Sequence, residues 1–133
     1  MLTTRFEHTF EYAIIRIVPR VEREEFLNAG VLLFCLTQEF LEARIEVDAA
    51  RLAAFAPWLN SAALEEHLAM IPLICAGGAG AGPIGQMPLR ARFHWLVAPR
   101  STIIQWSSVH CGLCQSPHAA LEHLLDKMVR APK

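Results

Sequence analysis

Four side chains of the kinds that bind transition metals lie within nine residues near the end of the sequence. His110, Cys111, Cys114 and His118 supply the imidazole and thiolate donors that zinc prefers. Structural zinc sites usually join two ligand pairs that are separated by about a dozen residues or more, whereas these donors lie in one short loop that leads into a helix. The spacing therefore favours ordinary thiols and a solvated histidine, and we expect no metal and no other cofactor.

The same loop contains the components of a cysteine nucleophile with a histidine base. Cys111 or Cys114 would pair with His110 or His118, and the start of the following helix would help to activate the thiol. Adjacent residues of an extended chain point to opposite faces, so His110 and Cys111 are poorly placed to share a proton. We therefore do not expect cysteine catalysis.

Cations and aromatic side chains alternate in the segment RFHWLVAPRST, which begins at Arg92. Arg100, Ser101 and Thr102 could present one guanidinium and two hydroxyl groups to an anion. Arg92 would add a second positive charge, and His110 could act as the acid or base of a phosphate-ester site. The alternative, which we favour, is that Arg100 joins two loops through hydrogen bonds to backbone carbonyl groups.

Two apolar segments in the first third of the chain predict buried strands. Phe10–Val18 is rich in aromatic and β-branched residues on both faces, which indicates a central strand. Arg16 lies within it, and we expect a carboxylate or backbone carbonyls to pair its charged end, because an unpaired buried charge is costly. Phe26–Leu36 predicts a second buried strand, in which Asn28 and Gly30 have structural roles, since a glycine in a strand often marks a bulge or a close backbone approach.

Three further segments have the lengths of short strands. Leu41–Val47 alternates between apolar and polar side chains, which predicts a half-exposed strand. Thr102–Trp106 predicts another, because it is rich in β-branched and aromatic residues. Leu89–Val97 fits either a strand or a helical turn, and we interpret it as a strand.

Capping residues predict three helices. Asp48 is a candidate N-cap for a short helix, and Asn60 or Ser61 is a candidate for the next one. Ser116 followed by Pro117 begins the clearest helix, whose leucines recur at three- and four-residue spacing.

Runs of strands followed by helices predict an α+β fold. We expect an antiparallel-rich sheet of about four or five strands, with the helices packed mainly on one face. A length of 133 residues fits a single domain over residues 1–133. Residues 76–86 (AGGAGAGPIGQ) contain five of the seven glycines and no charged residue, so we expect a mobile loop there.

Composition excludes several classes of protein. With 53% hydrophobic and 19% charged residues the chain is not intrinsically disordered, and a net charge of −1 argues against general nucleic-acid binding. Its two aspartates are too few for a carboxylate-based magnesium nuclease. No signal sequence is evident, and the longest apolar run, Ala29–Leu36, is far shorter than the roughly 20 residues of a membrane span. We expect a cytoplasmic protein with reduced thiols and no contact with a membrane.

Three parts of the sequence carry a recognisable pattern. They are YAIIRIVPRVEREEFLNAGVLLFC at Tyr12–Cys35, RFHWLVAPRSTIIQ at Arg92–Gln105, and VHCGL with SPHAALEHLLDKMV toward the end. Together they resemble the bacterial family called domain of unknown function 3037, over nearly the whole chain. The resemblance implies no established activity.

The resemblance picks out nine positions, and several of them are polar residues within apolar segments. The nine are Arg16, Asn28, Gly30, Arg92, Trp95, Arg100, Ser101, His110 and Gly112. In the family pattern the position of Cys111 is commonly Thr and that of Cys114 is not Cys, so the chain departs from the pattern there. This departure argues further against a zinc site and against cysteine catalysis. Family members are often encoded beside HipA-like kinases, which implies a protein partner.

The sequence and the resemblance together predict an accessory module that binds a protein partner, such as a HipA-like kinase, and has no catalysis of its own. The alternative is a phosphate-ester or nucleotide-binding protein, including a metal-independent RNase, that uses Arg92, Arg100, Ser101, Thr102 and His110. That alternative requires His110 to lie within hydrogen-bond range of a space that it shares with Arg100.

Overall fold

The computed structural model describes residues 7–100 and 102–132 of the chain. Its strands are β1 (His8–Ile17), β2 (Leu27–Cys35), β3 (Phe40–Ile45), β4 (Ile104–Trp106) and β5 (His110–Cys114). Its α-helices are α1 (Ala49–Phe55), α2 (Ser61–Ala76), α3 (Leu89–Val97) and α4 (Pro117–Met128). Short 3₁₀ turns lie at Val21–Arg23 and within Ala79–Gln86.

All five strands form one antiparallel sheet with β1 inside it. The order is β3, β2, β1 and then β4, and β5 pairs with the first half of β1 on the same side as β4. Because β4 and β5 run in the same direction along β1, they act as one edge strand with an interruption. The prediction of a central first strand is confirmed.

The interruption between β4 and β5 is a bulge whose hydrogen bonds are completed by a serine. Three residues, Ser107–Val109, lie opposite Ala13 and Ile14 of β1. The backbone N–H of Ser107 donates to the carbonyl oxygen of Ile14 at 3.0 Å, and its hydroxyl oxygen accepts from the N–H of Ile14 at 2.8 Å. Ile14 therefore keeps both backbone hydrogen bonds where the ladder is broken.

Helices cover both faces of the sheet. One face carries Ile15 and Leu32 and packs against α1, α2 and α3. The other face carries Ile14 and Leu33 and packs against α4. The predicted α+β fold, with about four or five mainly antiparallel strands and most of the helices on one face, is confirmed, and α4 alone covers the second face.

The second strand bulges beside its glycine, as the sequence predicted. The register with β1 shifts so that Arg16 pairs with Asn28, and Ala29 is the extra residue. A Cβ at Gly30 would lie 2.5 Å from the carbonyl oxygen of Arg44. Glycine therefore permits the close approach of β3 to β2 at this point.

The three predicted helix starts are confirmed by their caps. The side chains of Asp48, Asn60 and Ser116 accept hydrogen bonds from the backbone N–H three residues later, at 3.1, 3.2 and 3.2 Å respectively. Each cap satisfies one of the N–H groups that a helix leaves unpaired at its start.

Two local predictions are wrong. Leu89–Val97 is the helix α3 and not a strand. Its buried side chains, Phe93 and Leu96, lie three residues apart, which places them on one side of a helix but on opposite faces of a strand. His110–Cys114, which we assigned to a loop, is the strand β5, because it pairs with β1 along its whole length.

The glycine-rich segment folds back on itself through 3₁₀ turns. The N–H of Gly78 donates to the carbonyl oxygen of Gly85 at 2.9 Å, and a Cβ at Gly85 would lie only 2.3 Å from the carbonyl oxygen of Gly78. Its mobility stays a prediction. Among the described residues no single helix is long and apolar enough to cross a membrane, and α2 passes that test only in combination with these turns, across a bend of 63°.

An ion-pair network joins β3 to the end of α4. Arg130 contacts Glu46 and Glu122, each at 2.8 Å, and Arg44 contacts Glu122 at 2.6 Å. Hydrogen bonds from Arg130 hold the pKa of Glu46 below its usual value, and a hydrogen bond from Arg44 does the same for the pKa of Glu122. The network therefore favours the ionised carboxylates and fixes α4 against the edge of the sheet.

Replacement of Gly30 by Ala tests the close approach of β3 to β2. We expect Gly30→Ala to lower the free energy of unfolding by about 1 to 3 kcal/mol, because backbone atoms must move to accept the Cβ. Gly80→Ala is the matched control, since no atom lies within 4 Å of a Cβ at Gly80. Urea denaturation of both variants measures the difference, and equal stabilities would contradict the packing described for Gly30.

The ion-pair network predicts a dependence of stability on pH. The lowered pKa of Glu46 means that its ionised form stabilises the folded state above the unfolded value of 4.5, and that this contribution is lost as the pH falls through the folded pKa. We expect Glu46→Gln to be less stable than the wild type at pH 7, by about 1 kcal/mol at most because solvent screens the pair. The difference should shrink under acid conditions.

Thermal unfolding across this pH range measures the effect. Glu66→Gln, on the exposed surface of α2, removes the same charge and is the control. A stability difference between Glu46→Gln and wild type that does not change with pH would contradict the proposed linkage.

Candidate functional site

The guanidinium of Arg92 binds backbone carbonyl groups rather than facing solvent. Its Nη1 donates to the carbonyl oxygens of Ile74 at 2.9 Å and Cys75 at 2.7 Å, and its Nε donates to the carbonyl oxygen of Met87 at 2.9 Å. These carbonyls belong to the last turn of α2 and to the residue that follows the glycine-rich turns. Arg92 thus ties α3 to the end of α2.

Arg100 has the same role at the end of its own helix. Its Nη1 donates to the carbonyl oxygen of Leu96 at 2.9 Å, and its Nη2 donates to that of Trp95 at 2.6 Å. The guanidinium carbon also lies 4.3 Å from the centre of the Trp95 ring. Thr102 donates its hydroxyl to the carbonyl oxygen of Ile104 at 2.7 Å, and Ser101 lies outside the described residues.

His110 is not brought to Arg100. It lies opposite Tyr12 in the sheet, and the two rings are 5.4 Å apart on the face that α4 covers. Its Nε2 lies 3.3 Å from the hydroxyl of Ser108. Arg100 binds the carbonyls of α3, which packs on the opposite face. An open depression of about 330 Å³ is lined by Arg100, Gln105 and Ser108 among other residues, and His110 is not among the residues that line it. The phosphate-ester alternative, which requires a space shared by Arg100 and His110, therefore has no support from this depression.

The four candidate metal donors are dispersed, because three of them lie in β5 and the fourth lies in α4. Successive side chains of β5 alternate between faces, so Cys111 points away from the face that His110 and Cys114 share. His118 lies in α4, with its Nδ1 3.9 Å from a carboxylate oxygen of Glu42. No group of three or more histidine, cysteine or acidic side chains in residues 7–100 and 102–132 could hold a metal ion.

Two of the four thiols, those of Cys75 and Cys114, have a raised pKa. Burial raises the pKa of Cys75 to about 12. Burial, together with the neighbouring thiol of Cys35, also raises the pKa of Cys114. A thiol whose pKa is raised stays protonated at neutral pH, which disfavours nucleophilic catalysis at these positions.

Arg16 and Asn28 form a polar pair between adjacent strands. Asn28 donates from its Nδ2 to the carbonyl oxygen of Met128, at the end of α4, at 3.0 Å. The guanidinium of Arg16 lies 4.0 Å above the centre of the Phe26 ring. In the described part of the chain neither Arg16 Nε nor Asn28 Oδ1 has a hydrogen-bond partner, although both atoms are buried. Among the described residues the contact seen for the Arg16 guanidinium is the Phe26 ring, and its pairing with a carboxylate or carbonyl stays a prediction.

A second contact between an arginine and an aromatic ring lies beside the connection between β1 and β2. The guanidinium of Arg20 lies 5.2 Å from the centre of the Trp58 ring. Trp58 is 57% exposed, Val21 is 45% exposed and Phe26 is 44% exposed, which are large fractions for side chains of this size. We call Arg16, Arg20, Val21, Phe26 and Trp58 the hairpin surface, because four of them belong to β1 and its connection to β2. Arg16 shares the face of β1 that α4 covers, whereas Trp58 follows α1, which packs on the other face.

An open depression accompanies the hairpin surface. It has a volume of about 690 Å³, and its lining is Arg20, Glu22, Arg23, Glu25, Ala54, Phe55 and Trp58. Arg23 donates to Glu25 at 2.6 Å, and this hydrogen bond lowers the pKa of the Glu25 carboxyl group. Both signs of charge therefore surround an exposed tryptophan, and tryptophan and arginine are among the residue types that are enriched at protein interfaces.

Sequence reasoning missed the hairpin surface. It assigned Phe26 to the start of a buried strand, and it read the region of Trp58 only as a break between helices. One signal was present, because a tryptophan directly after the helix-ending Pro57 has no helix face in which to be buried. The pairing of Trp58 with Arg20, 38 positions away in the sequence, needed the fold.

Comparison with known proteins gives one match. A family model described as "Protein of unknown function (DUF3037)" matches residues 12–129, which is nearly the whole chain. No curated protein matches the chain, and no solved structure matches it. The match agrees with the resemblance noted in the sequence.

Replacement of Arg92 tests whether it serves the fold. We expect Arg92→Met to lower the free energy of unfolding by about 2 to 3 kcal/mol, because it leaves carbonyl groups at the end of α2 without their donor. Arg90→Met in the same helix is the control, since the contacts described for Arg90 are a 3.8 Å approach to Glu11 and a position 5.4 Å from the centre of the Phe34 ring, and an exposed ion pair contributes at most about 1 kcal/mol. Chemical denaturation measures both, and an Arg92→Met variant as stable as Arg90→Met would contradict this role.

Proposed function

We propose that this chain, which belongs to the DUF3037 family, is an interaction module without catalysis of its own that binds a protein partner through the hairpin surface. The observation that carries the proposal is the pair of arginine–aromatic contacts at that surface, Arg16 on Phe26 and Arg20 on Trp58. Both rings remain substantially exposed while their arginines are already in position.

The composition of the hairpin surface supports protein binding. Tryptophan and arginine are among the residues that contribute most to binding energy at protein interfaces, and an aromatic side chain loses little conformational entropy when it is buried. Contact with Arg20 restricts Trp58 further, which reduces the entropy cost of binding. A partner that covers these rings would remove large apolar areas from water without leaving the guanidinium groups unpaired.

The hydrogen bonds of the other candidate residues support a function without catalysis. Arg92 and Arg100 donate to backbone carbonyls, and the hydroxyl of Thr102 is also bonded to one. A guanidinium that already binds the end of a helix would have to give up those bonds to hold a substrate phosphate. No specific observation favours the phosphate-ester alternative.

A HipA-like kinase in the bacterial cytoplasm is the partner that we propose. The resemblance of the sequence implies this partner, since members of the family are often encoded beside such kinases. All four cysteines are free thiols, which suits a reducing compartment. The mixed charges around Trp58 suit a protein surface better than a nucleic acid, which requires a positive field.

Binding of the kinase by tryptophan variants tests the proposal. The full chain and a HipA-like kinase from the same genome are co-expressed and purified, and the dissociation constant is measured by calorimetry. We expect Trp58→Ala to weaken binding by about 30-fold or more, since it removes the central aromatic ring of the hairpin surface. Trp95→Ala is the matched control, because Trp95 is also a partly exposed tryptophan beside an arginine but lies on α3.

Each outcome bears on a separate part of the proposal. Equal binding by Trp58→Ala and the wild type would contradict the hairpin surface as the site. Failure of the kinase to bind the wild type, while another protein binds it and is lost with Trp58→Ala, would contradict the identity of the partner alone. Recovery of a lone chain in both pull-down and co-expression would contradict the interaction module.

A further inference from the structure

The backbone hydrogen bonds of β1 show which groups of β5 point outward. Val18 donates to the carbonyl oxygen of Ile103 at 2.6 Å, and Ser107 donates to that of Ile14 at 3.0 Å. Antiparallel strands alternate residues that bond to one neighbour with residues that bond to the other. Even-numbered residues of β1 therefore bond to the strand formed by β4 and β5.

This alternation leaves a row of unpaired groups on β5. His110, Gly112 and Cys114 lie opposite even-numbered residues of β1 and direct their backbone groups toward it. The N–H and C=O groups of Cys111 and Leu113 then point away from the sheet. No described segment pairs with β5 on that side.

The side chains on this edge are apolar and accessible. Leu113 is 66% exposed, and Cys111 is exposed on the same face of the strand. No residue of β5 (HCGLC) is acidic, lysine, arginine or proline, so the edge lacks the side chains that usually prevent pairing with another strand. The helices pack mainly over β2 and β3 rather than over β5.

We propose that two copies of the chain associate by antiparallel pairing of β5 with β5, about a two-fold axis at Gly112. In this register Cys111 of each copy lies opposite Leu113 of the other. These are the residues whose outward N–H and C=O groups are free, so each pair can exchange two backbone hydrogen bonds. The two five-stranded sheets become one continuous sheet.

The register is compatible with the charges and side chains beside it. Glu11 lies next to Cys111 on β1 and is already near Arg90, at 3.8 Å. The row of cross-strand neighbours runs from Glu11 and Cys111 of one copy to Leu113 and Thr9 of the second copy. Glu11 therefore faces no like charge in this row. The apolar side chains of Leu113 and Cys111 are buried together.

Glycine at the axis suits this pairing. A Cβ at Gly112 would lie 2.6 Å from the ring of Phe10, so the ring covers the glycine on the face toward α4. The two glycines would meet as a pair without direct hydrogen bonds, where the backbones of antiparallel strands come closest. The edge of β5 is therefore suited to pair with β5 of a second copy.

The interface lies at the opposite end of β1 from the hairpin surface and does not depend on the proposed function. The hairpin surface begins at Arg16, near the end of β1, whereas β5 pairs with His8–Tyr12. A dimer formed through β5 would therefore present two hairpin surfaces, both still accessible to partners.

The mass of the purified full chain in solution tests the pairing. Light scattering is measured from micromolar to millimolar concentration, and we expect the mass of a dimer for the wild type. Leu113→Lys should give a monomer, because it places a charge on the pairing edge. Leu73→Lys, at an exposed leucine of α2, is the control and should remain dimeric. Circular dichroism establishes that each variant is folded.

Cross-linking tests the register independently of the charge variant. In the proposed register Leu113→Cys brings the new thiol opposite Cys111 of the other copy, within the Cα separations of disulfides. Mild oxidation should give a covalent dimer in high yield, which the same substitution at Leu73 should not give. A wild type that is monomeric at every concentration would overturn the proposal, as would a dimer that persists with Leu113→Lys. If β5 instead binds an extended segment of another protein, the chain alone stays monomeric and the Leu113→Cys variant does not cross-link.

Discussion

The structure depends on satisfying the backbone of β1, a strand that is paired along both edges and has apolar packing on both faces. A buried N–H or C=O group without a partner costs free energy comparable to a lost hydrogen bond, so the strand can be interrupted beside it only where another group replaces the ladder. Ser107 supplies that group, since its hydroxyl accepts from Ile14 at the bulge. The bulge in turn allows β4 and β5 to follow β1, and the two short strands together form one edge of the sheet.

Arginine satisfies the backbone at the ends of the helices in a comparable way. Ten of the twelve basic residues are arginine, and two of them, Arg92 and Arg100, donate to the last carbonyl groups of α2 and α3. The guanidinium group suits this purpose because it directs several donors in one plane and remains charged. The same properties make arginine a good ligand for phosphate. Sequence alone therefore could not decide whether Arg92 binds phosphate or backbone carbonyl groups. In the fold, Nε and Nη1 of Arg92 already donate to backbone carbonyl groups, which favours the structural role.

Much of the fold could be predicted from local patterns. The strand at Phe10–Val18, the caps at Asp48 and Ser116 and the bulge beside Gly30 all depend on residues close in sequence, and the structure has them. The predictions for α3 and β5 failed because the conformation of these segments depends on residues that are distant in the sequence. Leu89–Val97 combines helix-favouring Leu, Arg and Ala with strand-favouring Phe, Trp and Val, so its local preferences were divided, and Phe93 packs on Phe34 of the sheet when the segment is a helix. The segment β5 is a strand because β1 lies beside it. The hairpin surface was missed because its contacts join residues that are distant in the chain.

The sequence by itself determined the class of fold and the number and kinds of most elements, because these follow from composition and from periodicities within a few residues. Tertiary structure alone decided which polar side chains were already committed to the backbone and which remained accessible. Arg16 illustrates the difference, since its position in an apolar strand required a partner, but only the fold could bring the ring of Phe26 beside it. The physical reason is that a side chain finds its hydrogen-bond and packing partners in space, and distance along the chain does not limit that choice.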